Sequence, residues 1–100
     1  MNRKRFLGML GLCARAGKLV SGEEAVRLAT AKRNARLVVI DCAISLNARD
    51  RYEALCKKAG VPLIAAYPNI GQAIGKEARM SAAVTDEGFA KALLDIHLNE

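Results

Sequence analysis

Leu37-Val38-Val39-Ile40 decides the fold. Four consecutive apolar residues with no polar alternation describe a strand covered on both faces, because a strand with one wet side would alternate. Helices must therefore lie above and below it, and the flanking sequence supplies them. Upstream, Ala25, Val26, Leu28 and Ala29 give a buried face to a helix running to about Lys32. Downstream, Tyr52, Leu55, Cys56 and Ala59 recur at i, i+3, i+4 and i+7, Ser45 or Asn47 can cap that helix, and Gly60 offers a left-handed stop.

Further out, Asn2 can cap a first helix to about Ala14 with Phe6, Met9, Leu10 and Cys13 on one face, and Lys18-Leu19-Val20 reads as a short strand. Val61 to Ala66 is another strand, its Pro62 tolerated only at the start. Asn69-Ile70-Gly71-Gln72 has the form of a capping box opening a short helix through Ile74, ended by Gly75. After a loop to Ser81 come the strand Ala82-Ala83-Val84-Thr85 and a last helix, capped by Asp86, that buries Phe89, Ala90, Leu93 and Leu94. His97 near its end can extend that buried face, and otherwise reads as a surface residue favoured by the helix dipole, not as a ligand. Alternating helix and strand over 100 residues predicts an α/β fold in a single domain, 1–100: a three-layer α/β/α sandwich around a four-stranded mixed sheet.

Composition limits what such a domain can do. The chain is 52% hydrophobic with only 4% aromatic residues, so its core is built from Ala, Val, Leu and Ile. No apolar run approaches the roughly 20 residues of a membrane span, and the basic start at Arg3-Lys4-Arg5 leads into an amphipathic helix, not a cleavable leader. Cys13, Cys42 and Cys56 form no C-x-x-C pair and, with a single His, offer no metal set; they read as small core residues of a reducing, cytoplasmic protein. Cys42 and Arg49 are separated by six residues where a phosphatase thiolate loop needs five, so that chemistry fails on geometry. The net charge is +6, and all of it lies in residues 1–50, where ten Lys and Arg face four carboxylates. Such an excess is the footprint of a polyanion partner.

One stretch could receive that partner: Gly17 to Ala29, GKLVSGEEAVRLA. Ser21 followed by Glu24 has the form of a capping box, and Gly22 keeps the first turn free of side chains. A bare helix start presents unpaired N–H groups and a positive dipole end, and Arg15 and Lys18 flank this one, so it suits a phosphate.

Taken in order, Gly17 to Val26, Leu37 to Ile40, Gly60 to Leu63, Ile70 to Gly75, Ala82 to Val84 and Asp86 to Ala90 resemble the ribosomal L7Ae/L30e superfamily, most closely its bacterial YlxQ-type members. The resemblance covers essentially the whole chain. It implies an α/β/α sandwich that binds structured RNA, in many members a kink-turn, gripped by the start of the second helix and the loop before the last strand. By position these are Gly22, Glu23, Glu24 and Ala25 on the helix and Lys76, Arg79, Met80 and Ser81 in the loop, with Lys18 and Arg27 against phosphates. Where kink-turn binders carry Asn-Glu and a Lys, this chain has Glu24-Ala25 and Leu28. Asn offers a donor and an acceptor; ionised Glu24 only accepts.

The expected protein is thus a non-enzymatic, ribosome-associated RNA-binding module. Its expected partners are structured RNA, ribosomal RNA first, and ribosomal proteins; no cofactor, metal or membrane is called for, and a monomer is the simplest state. The competing expectation is an adaptor that meets other proteins through an apolar surface around Ile70 to Met80. An enzyme is disfavoured, since Glu23 and Glu24 are adjacent on a helix and point apart.

Overall fold

In the computed structural model, which describes residues 2–99, the strand Leu37–Asp41 (β2) is buried along its whole length. Before it come a helix at Asn2–Arg15 (α1), a strand at Leu19–Ser21 (β1) and a helix at Glu23–Ala31 (α2). After it come Leu46–Ala59 (α3), Leu63–Tyr67 (β3), Ile70–Ala73 (α4), Ser81–Val84 (β4) and Glu87–Leu98 (α5). The sheet order is β1-β4-β2-β3, with β3 parallel to β2 and β4 antiparallel to both β1 and β2. This is the expected three-layer sandwich with a mixed sheet.

Alternate residues of β2 feed two separate cores. Leu37 and Val39 point into one made with Phe6, Leu10 and Cys13 of α1, Ile70 of α4 and Ala90, Leu93 and Ile96 of α5. Val38 and Ile40 point into the other, with Val26 of α2 and Tyr52 and Cys56 of α3. Phe6 stacks on Tyr67 with ring centroids 4.1 Å apart, and the Tyr67 hydroxyl lies 2.9 Å from His97 Nδ1. His97 is therefore half-buried and bonded, closer to the buried alternative than to a free surface residue.

Two helix starts follow the sequence reading. The Ser45 hydroxyl accepts from the Ala48 amide at 3.2 Å, and the Asp86 carboxylate from the Phe89 amide at 2.9 Å. Gly60 ends α3 at φ 70. Three starts do not. Asn2 lies inside α1, and its side-chain amide donates to the Ile96 carbonyl, pinning α1 to α5. Asn69 precedes α4 in the left-handed region and makes no side-chain cap. Ser21 also caps nothing: β1 runs through it to pair with Ala82, so Gly22 takes the cap position and Glu24 pairs with Arg27 instead.

Two burial expectations also fail. The buried face of α2 is Val26 and Thr30, while Leu28 is 39% exposed because no element covers that side. Cys42 sits exposed in the turn after β2, and only Cys13 and Cys56 are buried.

Candidate nucleic-acid interface

The antiparallel pairing of β1 with β4 brings the end of one strand beside the start of the other, with Ser21 opposite Ala82. The start of α2 follows β1 and the loop at 76–80 precedes β4, so the two lie side by side. They are also bonded. The Gly22 amide donates to the Ser81 carbonyl at 3.0 Å, and Arg79 Nη1 donates to the Ser21 carbonyl at 3.1 Å.

Gly22 is required here twice over. Its φ of 96 and ψ of 156 belong to a region that side chains avoid, and a Cβ would stand 2.1 Å from Arg79 Nη1. The helix start is consequently not bare. An arginine lies across it, adding a cation to the positive end of the helix.

The loop is set from below by α4. A Cβ on Gly71 would stand 2.5 Å from the Arg79 carbonyl and 2.7 Å from those of Glu77 and Lys76, and the Lys76 amide donates to the Gly71 carbonyl at 2.8 Å. Asp41, 5% exposed at the end of β2, binds the same corner: its carboxylate accepts from the amides of Ala43 at 2.9 Å and Ile70 at 3.2 Å, and its own amide donates to the Met80 carbonyl at 2.9 Å. That carboxylate does at α4 what Asn69 was expected to do. On the other side, the buried hydroxyls of Tyr52 and Ser81 are 2.6 Å apart, and burial first of all pushes the Tyr52 phenol above its ordinary range, so it stays protonated and able to donate.

Arg79 separates two open clefts. One, of about 380 Å³, is lined by Arg15, Lys76 and Arg79 together with Ser21, Ala25 and Ile74, and no carboxylate lines it. The other, of about 680 Å³, is lined by Gly22, Glu23, Ile44, Arg51, Tyr52 and Met80 among others. Glu23 there is paired with Arg51 at 3.3 Å.

The expected site residues divide accordingly. Gly22, Glu23, Ala25, Lys76, Arg79 and Met80 line the two clefts, and Glu24 is exposed beside them in the first turn of α2. Of the other three, Lys18 and Arg27 stand elsewhere, while Ser81 borders the larger cleft but is buried. Lys18 lies at the far end of β1, where its carbonyl accepts from the Thr85 amide at 3.0 Å. Arg27, 2.7 Å from Glu24, faces the groove between α2 and α3. Ser81 is only 2% exposed, its hydroxyl used by Tyr52, so it anchors the loop. Arg51 was missed altogether, since nothing in its local pattern reveals that α3 passes beside Glu23, 28 positions earlier.

Of the apolar surface expected of an adaptor, Met80 and Ala78 are exposed and the isoleucines are not. Ile70 and Ile74 are core residues, and the exposed part of 70–80 consists of Gln72, Gly75, Lys76, Glu77, Ala78, Arg79 and Met80. Among the described residues, no group of three His, Cys, Asp or Glu side chains could hold a metal ion, and no helix is long and apolar enough to cross a membrane.

Residues 4–94 match the profile of the Ribosomal protein L7Ae/L30e/S12e/Gadd45 family. Two relatives carry the name RNA-binding protein YlxQ. That of Bacillus subtilis is 36% identical over 98 residues, covering 96% of this chain and 98% of its own; that of Enterococcus faecium is 32% identical over 92 residues, covering 90% and 88%. A Bacillus halodurans protein of unknown function superposes with a TM-score of 0.89 at 30% identity, over 96% of this chain and 98% of that one. The Giardia lamblia 15.5kD RNA binding protein shares the fold, with a TM-score of 0.78 at 14% identity, over 98% and 86%.

Proposed function

The chain belongs to the Ribosomal protein L7Ae/L30e/S12e/Gadd45 family, and on that premise we propose that it is a non-enzymatic, ribosome-associated protein that binds structured RNA of kink-turn type. Docking is through the start of α2 and the loop before β4. The observation that carries this reading is the bonded juxtaposition of those two segments beside a cleft holding Arg15, Lys76 and Arg79 with no carboxylate.

The chemistry follows from the parts. The first amides of α2 and the positive end of its dipole favour a phosphate oxygen, and Gly22 lets the Arg79 guanidinium lie across that end and add its charge. Arg79 has five N–H donors, of which Ser21 engages one, so it can serve a phosphate while holding the loop. A-form RNA hides its major groove, so a small rigid corner of this kind suits a kinked junction with exposed base edges. At such a junction Glu24 accepts from guanine N–H groups, with Arg27 at 2.7 Å offsetting its repulsion of phosphate. The names of the YlxQ relatives support RNA as the partner.

The test is a titration of kink-turn RNA, a matched unkinked duplex and ribosomal RNA fragments across salt concentrations. With about four phosphates neutralised, log K should fall with log salt at a slope of about −3 to −4, and the kinked RNA should bind best. Lys76→Gln with Arg79→Gln should weaken every complex. Equal affinity for all three RNAs, or a flat salt dependence, overturns the reading.

A further inference from the structure

Much of the chain's excess positive charge lies away from the α2 start. On that side Arg3, Arg15, Lys76 and Arg79 line clefts, but the carboxylates Glu23, Glu24, Asp41 and Glu77 stand in the same segments. At the opposite end of the sheet cations dominate. Lys18 precedes β1 and Arg36 precedes β2, flanking the end of β4 from both sides: Thr85 donates to the Lys18 carbonyl at 3.0 Å and Arg36 to the Val84 carbonyl at 2.7 Å. Because α2 and α3 both run from the site to this end, Lys32 and Arg33 close α2 here and Lys57 and Lys58 close α3. Val38 donates to the Pro62 carbonyl at 3.0 Å, which fixes the end of α3 beside that of α2 and the start of β2.

All six cations are exposed, and among the described residues the carboxylates that the strand ends bring near them are Asp86 and Glu87. Asp86 is occupied in capping α5, and Glu87 lies 3.8 Å from Arg36. Helix dipoles account for Lys32, Lys57 and Lys58, since cations are favoured in a last turn. They do not account for Lys18 and Arg36, which lie outside the helices. Nor does local folding select Arg33, which is held at φ 62, a conformation that favours glycine.

We propose that this end of the sheet, built from Lys18, Lys32, Arg33, Arg36, Lys57 and Lys58, is a second RNA-contact face that takes the phosphate backbone of a segment beyond the reach of the α2 start. The proposal rests on the RNA-binding reading for its choice of polyanion. The face is separated from the α2 start by the length of β2, about 15–20 Å, so a long folded RNA can touch both while a minimal kinked hairpin touches one. Contacts from lysine and arginine to phosphate position an RNA without reading its bases, so this face contributes affinity and leaves sequence preference unchanged.

The experiment compares the intact chain with two variants, Lys32→Gln/Arg36→Gln/Lys57→Gln/Lys58→Gln and Lys76→Gln/Arg79→Gln, after circular dichroism has shown each to be folded. Each is titrated with a minimal kink-turn hairpin, with a long ribosomal RNA fragment containing the same kink, and with phosphatidylserine vesicles. The quadruple variant should bind the hairpin within about twofold of the intact chain. On the long RNA it should lose tenfold or more, with a salt slope shallower by about 2–4. If its slope and affinity on the long RNA match those of the intact chain while the Lys76/Arg79 variant fails on both RNAs, the second face is wrong and the α2 site stands. If the Lys76/Arg79 variant keeps both RNAs and the quadruple variant loses the long one, the second face stands and the α2 site is wrong. Vesicle binding that needs the four cations, with RNA binding untouched by their loss, makes this a membrane-facing surface and overturns the proposal.

Discussion

Ser21, Ser45 and Asp86 look alike in sequence, each a small polar residue ahead of a helical pattern, yet only the last two make a cap bond. The difference is that Ser21 is already the last residue of a strand, its backbone committed to β4. Ser45→Ala and Asp86→Ala should each lower stability by about 0.5–2 kcal/mol in urea unfolding, whereas Ser21→Ala should change it by under about 0.5 kcal/mol. Equal losses at all three would mean that the Ser21 hydroxyl caps α2 in solution. Gly22 gives the stronger effect, because Gly22→Ala forces a side chain both into a glycine-only backbone region and into Arg79. A loss of about 1–3 kcal/mol is expected, with weaker RNA binding because the arginine must move.

At the scale of elements, the short α4 acts as a mount. Gly71 packs against three loop carbonyls and Gly11 lets α1 approach the Ala73 carbonyl, so α1, α4 and the loop form one stack. Gly71→Ala adds a methyl group under Lys76 and Arg79 without touching a charge. It should reduce RNA affinity several-fold while leaving the slope of log K against log salt unchanged, since the same phosphates are met less well. A changed slope would mean that cations had been lost instead. The regular elements were legible in the sequence: the unbroken apolar run of β2 dictated two helical layers, and the four-residue repeat and glycine stop of α3 gave its face and its end. What was not legible depends on distant partners. The exposure of Leu28 follows from the absence of any neighbour on that side of α2, the burial of Ser81 from a tyrosine 29 positions away, and the role of Arg79 from a glycine 57 positions before it.

For the molecule as a whole, charge and ionisation are distributed by the fold and not by sequence position. The basic first half reads as one patch, but the fold divides it: Lys18, Lys32, Arg33 and Arg36 gather where β1 and β2 begin, the Arg15 side chain lines the cleft beside Arg79, Arg3 lines another with Arg15 and α4, and Arg27 faces the groove between α2 and α3. The thiols show a second global property. Burial pushes Cys13 and Cys56 up to about 11, with the Asp86 charge adding to the effect at Cys13. Folded thiols therefore keep their protons where unfolded ones, titrating near 9.0, lose them. Stability is complete below about pH 9 and falls as pH rises toward 11. Urea midpoints should decline across that window, and Cys13→Ala with Cys56→Ala should flatten the decline; a midpoint independent of pH there would show that these thiols ionise alike in both states. At neutral pH a thiol reagent should modify Cys42 at once and the other two only on unfolding. The open flanks of the sheet complete the picture. One is β1, only three residues long, and the other is β3, entered through a proline that has no N–H to donate. Neither offers a long flat ladder for a neighbouring copy to extend, so the chain should stay dispersed when concentrated and resist the stacking that leads to fibrils.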